Sequence, residues 1–368
     1  MCVTMSEAER DPFLRPIDHF DGARAHAQPL DRLRAVRRAA ERLHEEMTSA
    51  PPVDYFRSAA LVRVPYPTRY ALRDACTAPT PFVHIVNRVF IVQTRFRGET
   101  KTLLFSPSDV ERNAATPFFA KLRASMGRLA PLGERLVAPQ LATVEERLAE
   151  IGIAPERVDY LSYDHLHTQD LRRWLGTGSE RGVFPNAKLL VMRQEWQSAH
   201  GLLPTQADWY CPHGLEGIDP SRVILLDGDT MLGDSLAIVA TPGHTEGNHS
   251  FVTRTPEGIF VTSENGVGPD AYDPTASGIP GLAAWARRTG SEVVLNGNTL
   301  ESSVEQYVSM VAEKTIAGRS KRNPDFSSVL CSSELDAYWA FPGVAPSFSY
   351  GDLEFGRPDL APRAAPGS

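Results

Sequence analysis

Residues 158–170 read VDYLSYDHLHTQD, an apolar stretch that runs straight into two histidines set one residue apart. The stretch predicts a short buried strand ending at the histidines. Residues two apart on an extended segment project to the same side, so His165 and His167 can face one ion. Asp164 and Asp170 stand beside them. Further along, TPGHTEGNHS (241–250) delivers His244 from a Pro-Gly turn, which can aim an imidazole off a strand end toward a shared cleft. Three imidazoles with a carboxylate form a donor set for zinc, and a catalytic zinc site keeps one position open for water.

The neighbouring residues each carry two readings. Asp170 either contacts a metal or caps the helix expected over residues 171–176. Asp164 either accepts a hydrogen bond from a ligating imidazole or solvates a loop. Glu246 and His249 read as surface or wall residues, and His213 as a loop residue lining the cleft. Cys211, two residues before His213, becomes a nucleophile pair only if the loop brings thiol and imidazole together. Cys2, Cys76, Cys211 and Cys331 are scattered without a C-x-x-C pair. Neither a disulfide framework nor a zinc ribbon is indicated, and a reducing compartment fits.

Composition narrows the class. With 368 residues and 42% hydrophobic content, the chain can bury a large core. A formal net charge of -7 and the lack of a long basic block oppose a nucleic-acid partner. No run approaches the roughly 18 apolar residues of a membrane span, and MCVTMSEAERDPF lacks a secretory layout. The expectation is a cytoplasmic enzyme with a small-molecule substrate and no membrane partner.

Outward from the histidines, strands are expected over 82–96 and 101–106 as a hairpin about Gly98, then over 188–192, 222–229, 236–244, 248–253, 258–265 and 291–298. Helices are expected over 141–151, 280–288 and 301–317, and residues 108–136 read as an insertion of mixed helical character. Residues 31–47 form an amphipathic helical pattern, followed by a proline-rich stretch, 65–81, that reads as a wrapping linker. Residues 1–80 are therefore expected to be an N-terminal helical and extended appendage, available for a homodimer contact. Residues 319–368 are expected to be a C-terminal tail packing on the main domain, 81–318.

Taken in order, VDYLSYDHLH, PNAKLLVMRQEW, ILLDGD, TPGHTEGNHS, GIFVTSEN and VVLNGNT resemble the metallo-β-lactamase fold superfamily, the αββα metallohydrolases, over residues 82–300. The resemblance implies an α/β fold: a four-layer αββα sandwich of two mixed β-sheets with outer helices, carrying an N-terminal extension and a C-terminal tail. It also implies a metal held by His165, His167 and His244, with Glu264 reaching the same ion. The chain departs from the family pattern at three places. Its H-x-H-x-Q-D replaces H-x-H-x-D-H, so Gln169 and Asp170 stand at the Asp and third His positions. Ser263-Glu264 stands where the family has Gly-Asp, and Asn298 where it has a last His.

Neutral amide oxygens suit zinc poorly, so one tightly held metal is expected. Asp170 is the remaining candidate as a ligand and as the catalytic residue that orients or deprotonates water. The activity implied is hydrolysis of a small ester, lactone or amide with Zn2+, iron and manganese being alternative metals. Two other outcomes stay open: a non-haem iron oxygenase using His165 or His167 with His244 and Glu264, and a non-catalytic ligand-binding descendant. Trp209, Tyr210 and Phe184 are candidate apolar contacts for a ligand.

Overall fold

The computed structural model describes residues 11–125, 127–297 and 302–361. Two mixed sheets face each other. The first orders six strands as Leu14–Pro16, Thr230–Leu232, Leu236–Ala240, His249–Arg254, Ile259–Ser263 and Val329–Cys331. The second runs Glu354–Gly356, Tyr55–Pro67, Phe82–Phe96, Glu99–Phe105, Tyr160–Ser162, Lys188–Met192 and Val223–Leu226, with Ser333–Asp336 added beside Phe82–Phe96. Its last four main-path strands pair in parallel, whereas the Phe82–Phe96 and Glu99–Phe105 hairpin is antiparallel around Arg97 and Gly98, both at positive φ.

Alternation along the strands makes two cores. Phe90, Leu103, Phe105, Leu190 and Leu226 from the second sheet meet Ile238, Phe251, Phe260 and Leu330 from the first, with Phe105 stacked on Phe251 at 5.0 Å. Their neighbours in sequence, such as Leu104, Leu189, Val239 and Val252, point outward beneath helices. Helix Pro29–Ser49 buries Ala35, Val36, Ala39, Ala40, Leu43 and Met47 on one face. The small alanines let it pack closely on helix Ser303–Ala317, which covers Ile259–Ser263. Burial of Leu43 and Met47 contributes about 1.5–3 kcal/mol each. Helix Arg193–His200 packs on the opposite outer face, completing the four layers.

The chain ends are more integrated than their sequence suggests. Residues expected to form an appendage supply a strand to each sheet, and Tyr55–Pro67 is central enough to pair with two strands. Pro65 and Pro67 fall within its last three residues, so the apolar, aromatic and β-branched residues before them set the local structure. Likewise the C-terminal segment adds Val329–Cys331, Ser333–Asp336 and Glu354–Gly356 to the sheets. The expected strand at 291–298 does not form over 291–297, and Asn298 lies outside the described residues. There Val294 N donates to Ala271 O, Asn296 N to Asn265 O and Gly297 N to Tyr70 O, so the backbone bonds are divided among three separate segments.

Candidate metal centre

The histidine-bearing loops leave the C-terminal ends of strands in both sheets. His165 and His167 follow Tyr160–Ser162, His244 follows Leu236–Ala240, and Glu264 follows Ile259–Ser263. Two contacts stitch the sheets together here: His249 N donates to Asp164 O at 2.8 Å, and His249 Nε2 lies 3.0 Å from Ser162 Oγ. His249 is thus fully buried between the sheets, contrary to its reading as a surface or wall residue.

The glycines of TPGHTEG explain how His244 is aimed. A Cβ on Gly243 would lie 2.2 Å from the Gln306 backbone, and one on Gly247 would lie 2.1 Å from Glu195 N. The turn is wedged between helices Ser303–Ala317 and Arg193–His200, and only hydrogen side chains admit that approach. His244 N also donates to Asn265 Oδ1, whose amide in turn donates to Thr241 O and to the buried Glu313 carboxyl.

These constraints gather three imidazoles. His165, His167 and His244 are buried, and each offers a ring nitrogen within 4.8 Å of the others. Ring centroids lie 4.5 Å apart for His165 and His244 and 4.6 Å apart for His165 and His167. Among the described residues, neither ring nitrogen of buried His167 has a hydrogen-bond partner. Burial, followed by the nearby imidazoles, holds His167 and His244 well below the usual histidine range, in the neutral form that carries a lone pair. Burial also opposes charge on His165, but the Asp164 carboxylate prevails and pushes it up to about 9. An unpartnered buried imidazole beside two others suits a bound divalent metal, so the donor set fits the metal the sequence implies.

Glu264 belongs to a second gathering, Asp164, His165 and Glu264, which shares His165 with the first. Ser332 Oγ lies between the carboxylates, hydrogen-bonded to Asp164 and 3.2 Å from Glu264 Oε2. Burial, reinforced by Asp164 and opposed by His165, raises the Glu264 carboxyl to about 7.

Asp170 joins neither gathering. Thr168, at φ 64, turns the chain sharply after His167, and its N–H is held by Trp209 O at 2.7 Å. Beyond that turn Asp170 Oδ1 accepts from the backbone and side-chain nitrogens of Arg172 at 3.0 Å, while the N-cap position of the helix Arg172–Leu175 is taken by Leu171. Gln169 instead contacts Asn113 and Ser108. Asp170 lines a separate arginine-bearing cavity of about 570 Å³ with Arg112, Arg172 and Arg173.

Trp209 and Tyr210 lie against His167, with centroids at 6.2 and 4.8 Å. Trp209 stacks on Phe118 and meets Tyr70, forming an aromatic wall over the imidazoles. Phe184 is a core residue against Trp174. The Cys211–His213 pair does not form: His213 is exposed and binds Glu216 at 2.9 Å, while Cys211 contacts carbonyl oxygens. Glu246 accepts from Gln194 at the surface. Sequence reasoning missed Glu195, Ser332 and Phe118, whose neighbourhood depends on distant segments and leaves no local pattern.

No family model matches the chain. It is 30% identical over 170 residues to the N-acyl homoserine lactonase AttM of Azorhizobium caulinodans, covering 39% of this chain and 59% of that protein. A second relative, AttM of Rhizobium johnstonii, is 29% identical over 175 residues, covering 40% and 61%. The match thus spans about three fifths of these relatives' length. Among solved structures, AidC, a dizinc quorum-quenching lactonase in complex with a product, aligns at TM-score 0.48 and 11% identity over 84% of this chain and 97% of that one. The facing mixed sheets, the outer helices and the ordered histidine loops at the strand ends agree with the αββα sandwich that the sequence resembles, and the sequence relatives it is similar to are lactonases.

Proposed function

We propose that this chain is a metal-dependent hydrolase that opens a small lactone or related ester at the three-histidine centre, with one tightly held divalent ion. The observation that supports this reading best is the convergence of three buried imidazoles, one of them with both ring nitrogens unpartnered. The likeness to N-acyl homoserine lactonases favours a lactone over an amide.

His165, His167 and His244 would hold the ion, preferably zinc, with Glu264 beside them. When bound, such an ion lowers the pKa of a coordinated water to roughly 7 and polarises a carbonyl. The chain supplies the setting. Asp164 fixes the orientation of His165, while Glu264 Oε2, next to Ser332 Oγ, is the carboxylate oxygen placed to hold or return a proton. Trp209 and Phe118 exclude water from the face over His167 and present an apolar surface to a substrate chain. Asp170, committed to Arg172, has a local structural role in this reading.

The test is metal content per chain in protein purified without chelator, combined with turnover of a panel of lactones and linear esters. About one zinc per chain with lactone opening that a chelator abolishes is expected. Metal-free protein, or iron with oxygen uptake on substrate addition, would overturn the proposal.

A further inference from the structure

Glu195 is a fully buried carboxylate outside the histidine motifs, and its hydrogen bonds touch both histidine loops and the Tyr210 loop. Oε1 accepts from Leu166 N at 2.8 Å, the one residue between His165 and His167. The same oxygen accepts from Tyr210 Oη at 3.1 Å, and Tyr210 is bridged to His167 through the backbone and packs edge-on to its ring. Oε2 accepts from Thr245 Oγ1 at 2.6 Å, the residue after His244. Gly247 is excluded from bearing a side chain by the same helix turn.

A buried carboxylate is expensive to desolvate and is ordinarily paired with a cation. Among the described residues, Glu195 forms no ion pair; all three donors are neutral. The segments that its oxygens hold carry the histidines, so an ion bound there would supply the positive charge that its own donors lack. We infer that Glu195 is a positioning residue that clamps both halves of the histidine site and the Tyr210 loop into ligating geometry, and supplies buried counter-charge to the bound metal. This rests on the three-histidine metal reading.

Clamp and counter-charge make separable demands. Glu195→Gln keeps the size but removes the charge, and its amide nitrogen cannot accept from the donors on the side it occupies. Glu195→Asp keeps the charge but shortens the arm, so the donors on both sides cannot be reached together. Cobalt(II) reports both, because its visible bands follow ligand geometry and its titration gives affinity without turnover. The apo forms of wild type, Glu195→Gln and Glu195→Asp are titrated with Co2+, with circular dichroism confirming the fold.

For Glu195→Gln the expected result is affinity lowered about 10–100-fold, the range for residues that orient metal ligands, with altered bands. Glu195→Asp should show altered bands with a smaller loss of affinity. Wild-type bands and affinity in a folded Glu195→Gln would overturn the inference. If Glu195→Gln does not fold, Tyr210→Phe and Thr245→Val remove one donor each; unchanged cobalt bands and affinity in both would also overturn it. Wild-type protein that takes up neither Co2+ nor Zn2+ would instead overturn the metal reading on which it rests.

Discussion

His165 Nδ1 lies 2.9 Å from Asp164 Oδ1, so the ring is locked in orientation with Nε2 left to face the other imidazoles. The same carboxylate oxygen accepts from the His165 backbone N–H at 3.0 Å, fixing both partners in one small ring. Asp164→Asn removes the charge that makes this imidazole a strong donor. Zinc affinity measured against a competing chelator should fall about 10–100-fold, with the circular dichroism spectrum unchanged. Unaltered affinity would mean that Asp164 only shapes the loop.

His167 tests the balance between function and stability. Its imidazole is buried with both ring nitrogens unpartnered, a penalty of about 1–3 kcal/mol in the metal-free protein. His167→Leu should abolish stoichiometric zinc while leaving the apo protein as stable as wild type or more so in urea denaturation. A strongly destabilised apo variant would contradict this.

Asp170→Asn should leave zinc content unchanged, because the wild-type carboxylate is bound to Arg172 and lies outside both donor gatherings. Weakening this hydrogen-bonded pair should lower stability by about 1–3 kcal/mol in urea denaturation. Loss of metal at intact stability would return Asp170 to the site.

The two glycines flanking His244 predict steric effects of the same kind. A methyl group at Gly243 or Gly247 must displace backbone of a neighbouring helix. Gly243→Ala and Gly247→Ala should each cost about 1–3 kcal/mol through overpacking, read as a lowered urea midpoint. Wild-type midpoints would show that the turn is looser than its contacts imply.

Cys211 should be dispensable for hydrolysis. Burial, with Asp170 adding to it, pushes its thiol up to about 11, so it is not a thiolate near neutral pH. Cys211→Ser should retain lactone-opening activity, and alkylation of Cys211 should be slow at neutral pH and accelerate as pH rises toward about 11. Loss of turnover in a folded Cys211→Ser variant would revive the nucleophile reading.

The strand-to-histidine transition at 158–167, the hairpin about Gly98 and the turn carrying His244 were legible in the chain because each depends on nearest neighbours: alternation, positive-φ positions and turn-forming residues. Those local signals, taken in order, carried the resemblance to the αββα fold. The two ends were misread because strand partners are distant in sequence. Nothing local to Tyr55–Pro67 announces that Phe82–Phe96 and Glu354–Gly356 will flank it.

The same limit governed the site. The sequence by itself determined which imidazoles were available and that a Pro-Gly turn would present one of them. Tertiary structure alone decided that Asp170 turns to Arg172 beyond the strained Thr168, that Ser332 sits between Asp164 and Glu264, and that Glu195 reaches both histidine loops. Residue identity and short-range geometry are written in order along the chain. The direction a carboxylate takes depends on which donors the packed sheets and helices bring within about 3 Å of it.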